Sequence, residues 1–317
     1  MKSNKISTLL AILTFMFFVL AFFPGESAAK EKFEKKFEKT VSLAKDGHVI
    51  LKNISGDIKV KSWDQEQVKI DALKVSKAST LEQAKKNAEK VTIEVNKEGN
   101  ILRIETKYQK VRFKSLNVSV NYSLSIPDKA SIKIKSVSGD ITLVEIGGRV
   151  EAAVVSGDVG IIKADKGVEC KAVSGDLELQ GITGDVDLKT VSGDITLEKM
   201  RGSIDFETVS GDVELRAVSE AKVVKGNVLS GSIIYQGNIN PDGRYNLKSH
   251  SGRVEMILPP DSAFDLEAKT FSGKVQSDFD ITVSGKITKK QIQGVVNGGG
   301  AAVTLKTFSG NVYLRKK

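Results

Sequence analysis

Five aspartates recur at a fixed interval in the middle of the chain. They are Asp140, Asp158, Asp176, Asp194 and Asp212, and successive members lie 18 residues apart. Carboxylates beside turn carbonyls are ligands that Ca²⁺ prefers. Carboxylates stacked about 4.8 Å apart also repel one another, by about 0.9 kcal/mol per neighbouring pair in water. Either bound Ca²⁺ or hydrogen bonds from the turn backbone must therefore offset this repulsion.

Each aspartate belongs to a Val-Ser-Gly-Asp segment that supplies one glycine. Calcium-binding nonapeptide repeats supply several glycines per turn. One glycine leaves too few carbonyls facing a common point, so we predict that the carboxylates brace turns and that no metal or cofactor is bound. Glycine tolerates positive φ and suits a tight corner. The predicted structural corners are Gly139, Gly157, Gly175, Gly193 and Gly211.

Short alternating runs connect these corners. Ile195-Thr-Leu197 follows one of them, and Ile204-Asp-Phe206 follows a second glycine half-way along the interval. Period-two alternation with β-branched residues is typical of strands. Two short strands cannot bury an apolar face alone, so successive coils must stack. We predict an all-β, single-stranded β-helix (β-solenoid) with 18–21-residue coils. Its predicted core includes Ile141, Leu143, Leu177, Leu179, Ile195 and Leu197.

The flanking sequence predicts three segments. Residues 1–29 form a leader, residues 30–130 an N-terminal mixed β cap with a helix over residues 79–90, and residues 131–317 the repeat β-solenoid. A cap is expected because the terminal coil of a solenoid exposes an unpaired edge. Ser79 or Thr80 can cap the helix. Its predicted apolar stripe consists of Leu81, Ala84 and Ala88, the charged stretch 30–39 is interpreted as a spacer, and the charges of Arg315, Lys316 and Lys317 are expected to protect the last edge.

The leader has the features of a targeting segment. Two lysines precede an apolar run from Ile6 to Phe23, and Ser27-Ala28-Ala29 offers small residues for cleavage. The run would span about 27 Å as a helix, close to the thickness of a bilayer core. The alternatives are a signal peptide cleaved before Lys30 and a retained N-terminal membrane anchor. Both predict an exported, extracellular or cell-surface domain.

Charge is distributed unevenly along the chain. The net charge is +9 overall, with +8 over residues 30–130, −6 over residues 131–216 and +6 over residues 217–317. The basic flanks predict salt-sensitive attachment to anionic lipid or wall polymer; the alternative is a solvated surface with chance asymmetry. An envelope protein, or a second copy bound along the solenoid faces, is a further candidate partner. No nucleic-acid binding is expected of an exported chain with an acidic centre.

The sequence offers few residues for catalysis. Cys170 is the sole cysteine, it occupies an inward position, and it is interpreted as a core residue. His48 and His250 are isolated and are interpreted as surface strand residues. No coil carries a distinctive carboxylate cluster of the kind that a polysaccharide-active β-helix enzyme requires. We therefore predict no enzyme activity and assign no catalytic residues.

Three features together resemble a known family. They are the early Ser55-Gly56-Asp57, the recurring Val-Ser-Gly-Asp coils, and the terminal Gly298-Gly299-Gly300 followed by Ser309-Gly310-Asn311. Over residues 37–315 the chain resembles the bacterial "putative adhesin" family DUF4097 and the LiaG-type exported or membrane-anchored envelope proteins. The resemblance implies a β-helix at the cell surface without defined catalytic residues. The expected function is a non-enzymatic adhesin or binding scaffold; the alternative is a membrane-anchored accessory protein of a cell-envelope stress response.

Overall fold

The computed structural model describes residues 30–109, 116–283 and 288–317. The signal peptide or membrane anchor predicted over residues 1–29 lies outside the described residues. Within those ranges, no helix has the length and hydropathy that crossing a membrane requires.

Strands make up most of the described chain, and one short helix, α1 (Leu81–Glu89), interrupts them. The first seven strands are β1 (Glu31–Ser42), β2 (His48–Lys52), β3 (Ile58–Trp63), β4 (Gln67–Ala78), β5 (Val91–Glu98), β6 (Ile101–Tyr108) and β7 (Val118–Pro127). The regular coils contain β8 (Ser131–Ser138), β9 (Ile141–Ile146), β10 (Val150–Ser156), β11 (Val159–Ala164), β12 (Val168–Ser174), β13 (Leu177–Thr183), β14 (Val186–Ser192), β15 (Ile195–Arg201), β16 (Ile204–Ser210) and β17 (Val213–Ser219). The last strands are β18 (Val223–Ser230), β19 (Ile233–Gly237), β20 (Arg244–Ser251), β21 (Val254–Leu258), β22 (Phe264–Ser272), β23 (Val275–Ser277), β24 (Thr282–Val283), β25 (Gln291–Val296), β26 (Ala301–Ser309) and β27 (Val312–Lys316).

The strands form two long, mainly parallel sheets that face each other. Sheet A has the order β1-β4-β7-β3-β9-β11-β13-β15-β17-β19-β21-β27-β23, and sheet B has the order β24-β25-β22-β26-β20-β18-β16-β14-β12-β10-β8-β2-β6-β5. In the regular coils each strand of sheet B leads through a Ser-Gly-Asp corner into a strand of sheet A. Leu177 pairs with Ile195 and Val186 with Ile204, so neighbouring coils are in register at 18 residues. The predicted β-solenoid is confirmed.

The core between the sheets is narrow and mainly aliphatic, and its largest fully buried side chains are the aromatic residues Phe206, Tyr235, Tyr245 and Phe264. All six predicted core residues are buried, and none exposes more than 2% of its surface. Cys170 is also fully buried in this core, as predicted. Burial raises the pKa of the Cys170 thiol to about 12, so the side chain remains a neutral thiol at physiological pH.

The order of the coils in space differs from their order in the chain at both ends. The coil β2–β3 lies between the coils β6–β7 and β8–β9, and the coil β26–β27 lies between β20–β21 and β22–β23. At each end the inserted coil is parallel to both neighbours, while antiparallel strands cover the outside. The prediction that Arg315, Lys316 and Lys317 protect the last edge is wrong for sheet A as a whole, because β23 is its outermost strand and covers β27 from Val312 to Leu314. Arg315 and Lys316, beyond this pairing, are paired with β21 on one side.

The N-terminal region differs in two further respects from the predicted cap. Strands β2, β3, β6 and β7 belong to the same two sheets as the repeats. Both sheets therefore continue without a break across the boundary that was predicted at residue 130. The charged stretch interpreted as a spacer forms β1, which pairs antiparallel with β4 along its whole length. Lysines and glutamates on such an outer strand discourage pairing with another chain.

Helix α1 packs over this end of the solenoid. The Thr80 side chain caps it by accepting a hydrogen bond from the Gln83 backbone N–H at 3.2 Å. Ala84 and Ala88 are buried as predicted, whereas Leu81 is 44% exposed. The predicted place of Leu81 in the apolar stripe is wrong, because this first residue of the helix lies beyond the contact that the two alanines make.

The corner glycines permit the close stacking of the coils. Gly139, Gly157, Gly175, Gly193 and Gly211 have φ between +117° and +146°, a region that other residues rarely adopt. A Cβ atom on Gly193 would lie 2.1 Å from the carbonyl oxygen of Gly175 in the preceding coil. The other four corners meet the preceding glycine carbonyl in the same way. A side chain is excluded here by contact as well as by backbone conformation.

We expect Leu197→Asp to destabilise the protein by about 4 kcal/mol or more, because an unpaired charge would enter the core. Val191→Asp is the matched control: Val191 is 48% exposed on the neighbouring strand, and its replacement should change stability by less than about 1 kcal/mol. Urea denaturation followed by circular dichroism measures both. Equal effects of the two substitutions would contradict the assigned core.

We also expect Gly193→Ala to destabilise the protein by about 3 kcal/mol, because it combines positive φ with a collision against backbone. Gly160 in β11 is the matched control, since a Cβ atom there meets nothing within 4 Å. Gly160→Ala should be neutral or stabilise by up to about 1 kcal/mol. Thermal unfolding of both variants tests the difference, which would vanish if the corners were not closely stacked.

Candidate functional site

The five predicted aspartates lie in a straight row along one corner of the solenoid, and each supports the next coil. In the first four, one carboxylate oxygen accepts a hydrogen bond from the backbone N–H of the aspartate 18 residues later, and Asp212 accepts from the Ser232 N–H at 2.7 Å. The donor–acceptor distances are 3.0 Å from Asp158 to Asp140, 2.8 Å from Asp176 to Asp158, 2.8 Å from Asp194 to Asp176, and 2.7 Å from Asp212 to Asp194. We call this row the aspartate ladder.

The ladder continues at both ends with other residues. Asp57 accepts from the Asp140 N–H at 3.2 Å, and Asn121 accepts from the Asp57 N–H at 3.0 Å. Near the C-terminus Asn311 accepts from the Lys274 N–H at 3.0 Å. An amide oxygen thus fills the same position as a carboxylate oxygen, so the hydrogen bond requires an acceptor and not a charge.

The hydrogen bonds are of the kind that the bracing interpretation predicts, because one oxygen of each carboxylate accepts from backbone. Among the described residues, no group of three or more histidine, cysteine or acidic side chains is placed to hold a metal ion. The two histidines are also far apart in sheet B: His48 begins β2, and His250 lies seven strands away on β20. The described part of the chain therefore does not bring the predicted candidates together into a catalytic cluster.

A second row of residues lies beside the ladder and is apolar. The residue before each Ser-Gly corner points away from the core, and the parallel pairing aligns these residues from coil to coil. We call the row the exposed ridge. In spatial order it consists of Ile54, Val137, Val155, Val173, Val191, Val209, Leu229, His250, Phe308 and Phe271, and its apolar members are 41–64% exposed. At about 4.8 Å per coil the ridge is about 43 Å long.

The sequence analysis did not identify this ridge, although a signal for it was present. Side chains of a strand alternate between its two faces, so that Thr208 points into the core like Phe206, and Val209 points outward. The same alternation predicts an exposed valine in every repeat. The aliphatic character of the residue concealed this, because alternation is normally recognised from a polar residue at the outward position.

The two ends of the ridge differ in size and charge. Toward the N-terminus the ridge is aliphatic and follows the aspartate ladder. Toward the C-terminus it becomes aromatic, and the position three residues later is Arg253 after His250 and Lys274 after Phe271. A groove of about 740 Å³ runs along this C-terminal part of sheet B. It is lined by ridge residues Val209, Leu229, His250, Phe308 and Phe271, and by lysines that include Lys248, Lys269 and Lys306.

We expect Asp176→Asn to be nearly neutral for stability, or slightly stabilising, because the amide oxygen can still accept from the Asp194 N–H while one repulsive charge is lost. Asp176→Ala removes the acceptor and should cost about 1 kcal/mol. Calcium should not change the melting temperature relative to chelator. A rise of several degrees with calcium concentration, abolished by Asp176→Asn, would contradict the bracing role.

Comparison with known proteins identifies the family of the chain. The model of the Toastrack DUF4097 family matches residues 47–315. No curated protein matches the chain. Among solved structures, the chain is similar to a "putative adhesin" from Bacteroides fragilis, with 13% identity, a TM-score of 0.42, and coverage of 88% of this chain and 96% of that one.

Two further solved structures are similar at the same level of identity. A "putative adhesin" from Parabacteroides distasonis is 12% identical, with a TM-score of 0.37 and coverage of 89% of this chain and 97% of that one. A "putative cell adhesion protein" from Clostridium sporogenes is 12% identical, with a TM-score of 0.24 and coverage of 90% and 100%. The family match spans most of the length of the described solenoid, and the chain belongs to the Toastrack DUF4097 family.

Proposed function

We propose that this protein is a non-enzymatic binding scaffold on the surface of the bacterial cell. The observation that supports this role best is the repetition of its outer surface. Each coil presents an equivalent residue at an equivalent place, so that the aspartate ladder and the exposed ridge are rows and not clusters. A catalytic site requires unlike groups that converge on one point. A row of repeated groups instead suits a partner that contacts many coils at once.

The state of the reactive groups supports the same proposal. The Cys170 thiol is buried and neutral, and the ladder carboxylates already bind backbone. On the outer face of sheet B, acidic side chains are engaged by lysines, as in the pairs Lys171–Glu169 at 2.7 Å and Lys225–Asp205 at 3.0 Å. Such ion pairs stabilise the surface weakly and leave few carboxylates for acid–base chemistry.

The proposed location follows from the leader and from the relatives. The apolar run at residues 6–23 supports export, either with cleavage before Lys30 or with retention as an anchor. Solved structures similar to this chain carry the names "putative adhesin" and "putative cell adhesion protein". The basic flanks, with net charges of +8 and +6, would attract anionic polymer or lipid of the envelope.

A binding experiment on fractionated cells tests the proposal. We expect the labelled chain from Lys30 to Lys317, which contains both sheets and the whole described core, to bind isolated envelopes saturably. Binding should weaken as salt rises from 50 to 500 mM, because ionic screening shortens the range of charge attraction. Excess unlabelled chain is the control for specific binding.

The same samples distinguish a scaffold from an enzyme. We expect no new reducing ends in envelope polysaccharide after prolonged incubation with the chain. Release of reducing ends in proportion to protein concentration and time would contradict the non-enzymatic role. Absence of saturable binding to any envelope fraction would contradict the binding role.

A further inference from the structure

We propose that the C-terminal end of the exposed ridge docks on an anionic phospholipid bilayer. This end, which we call the aromatic end, consists of His250, Phe308 and Phe271. The inference rests on the proposed function and gives it a partner class and a site. It depends on the exposure of the rings, on the cations around them, and on the backbone pairing of their strands.

The aromatic end exposes apolar surface in a fixed arrangement. Phe271 is 64% exposed and Phe308 is 48% exposed. The ring of Phe308 stacks on His250 with centroids 4.9 Å apart and on Phe271 with centroids 4.7 Å apart, and the rings are nearly parallel in both pairs. Contiguous exposed apolar groups rimmed by polar residues mark interaction sites on soluble surfaces. Phe308 lies between the other two rings, so the part of this ring that remains exposed is its edge.

Cations border this stack on both sides. Lys248, Lys306 and Lys269 lie two residues before the three rings and form one aligned column on the same face of sheet B. Arg253 and Lys274 lie at the corner beyond the ridge, and Lys290 stands over the Phe271 ring at 5.7 Å from its centroid. The groove beside the stack also contains one acidic residue, Glu207, which lies two residues before Val209 on β16.

Most of these cations are available to a ligand. In the part of the chain that the structure describes, Lys306 pairs with Glu267 at 2.6 Å and Arg253 with Glu255 at 3.7 Å. The other four cations have no acidic partner among the described residues. Lysine and arginine near an anionic membrane surface each strengthen attachment through phosphate groups, while their hydrocarbon stems stay in contact with apolar groups.

The opposite end of the same ridge provides an internal comparison. Val155 and Val173 occupy the equivalent outward position, but Asp158 and Asp176 follow them three residues later. The nearest lysine, Lys171, is paired with Glu169. Apolar exposure alone therefore extends along the whole ridge, whereas exposure combined with positive charge occurs at the aromatic end. This combination is complementary to a surface with acyl chains below anionic headgroups.

The structure favours a bilayer over a planar ligand or an added peptide strand. Both faces of Phe308 are covered by neighbouring rings, which closes them to a base or a sugar. The strands β20 and β26 are paired on both sides, and the outer side of β22 is covered by β25 as far as Lys269 and by the hydrogen bond from the Thr270 N–H to the Lys290 carbonyl. Little backbone edge is therefore open at the ridge for a partner strand. A row of exposed rings between ammonium groups instead matches a flat anionic interface, into which phenylalanine side chains insert beside lysines that contact the headgroups.

Vesicle sedimentation tests the site. We expect the chain from Lys30 to Lys317 to bind vesicles made from a mixture of phosphatidylglycerol and phosphatidylcholine. It should not bind vesicles of pure phosphatidylcholine. Phe271→Ala with Phe308→Ala should weaken binding about tenfold per ring, because each substitution removes an aromatic ring that would otherwise be buried among the acyl chains. Lys248→Gln with Lys269→Gln should weaken it about fivefold per charge and reduce its salt dependence. Val155→Ala with Val173→Ala, the matched control on the same ridge, should leave binding unchanged.

Fluorescence in the full-length chain locates the contact independently of the leader. In a Trp63→Phe background, brominated lipid in reconstituted vesicles should quench the tryptophan fluorescence of the Phe271→Trp variant. It should not quench the tryptophan fluorescence of the Val173→Trp variant. Circular dichroism of each variant verifies the fold, which should persist because Val173 and Phe271 are at least 48% exposed. Trp63 is half-buried and its indole N–H donates to the Gln67 carbonyl, so the Trp63→Phe background alone is the reference for both variants.

Three results would overturn the inference. They are equal quenching at positions 173 and 271, vesicle binding that is insensitive to both phenylalanine changes, and binding of soluble poly(glycerol phosphate) in place of vesicles. If vesicles are not bound but envelopes are, lipid docking is wrong and the proposed binding role stands. If neither is bound, both proposals are wrong.

Discussion

The structure depends on one contact, the approach of a glycine Cα to the glycine carbonyl of the preceding coil. This contact sets the coil spacing at the Ser-Gly-Asp corner, where a Cβ atom would overlap backbone. With the corner fixed, the next backbone N–H reaches the carboxylate of the coil before it, and the aliphatic residue that follows reaches the core. The contact follows spatial order, since Gly310 stacks on Gly252 and Gly273 stacks on Gly310. Register, core and surface rows are all consequences of the same corner.

Much of this architecture could be predicted from the sequence, because the repeat is local. Period-two alternation identified the strands and the inward residues, and the capping residues before Leu81 located the helix. The insertion of β2–β3 and β26–β27 between other coils could not be predicted in this way. A parallel strand can pair with a strand from any other part of the chain. The spacing of the corners in the sequence therefore does not indicate which coils are neighbours in space.

The candidate site was predicted less completely than the fold. The aspartates were found because a repeated carboxylate is a conspicuous chemical signal, and the structure shows how backbone uses them. The ridge was missed because the outward residue is aliphatic, and an aliphatic residue is normally assigned to a core. Its aromatic end combines His250, Phe308 and Phe271 from three coils, and two of these coils are 37 residues apart in the chain yet adjacent in space. Only the folded order of strands brings these rings together.

The inserted C-terminal coil also bears on how the chain reaches its final form. Strands β22 and β23 find their parallel partners only in β26 and β27, which are made last. During synthesis from the N-terminus, the strands of the middle coils can pair early. The segment from Phe264 to Ser277 keeps its apolar face uncovered until the last residues of the chain have been made. The solenoid is therefore completed by inserting its last coil between two earlier ones, and not by adding coils one after another at its end. The stack of Phe271 on Phe308 forms only after this insertion.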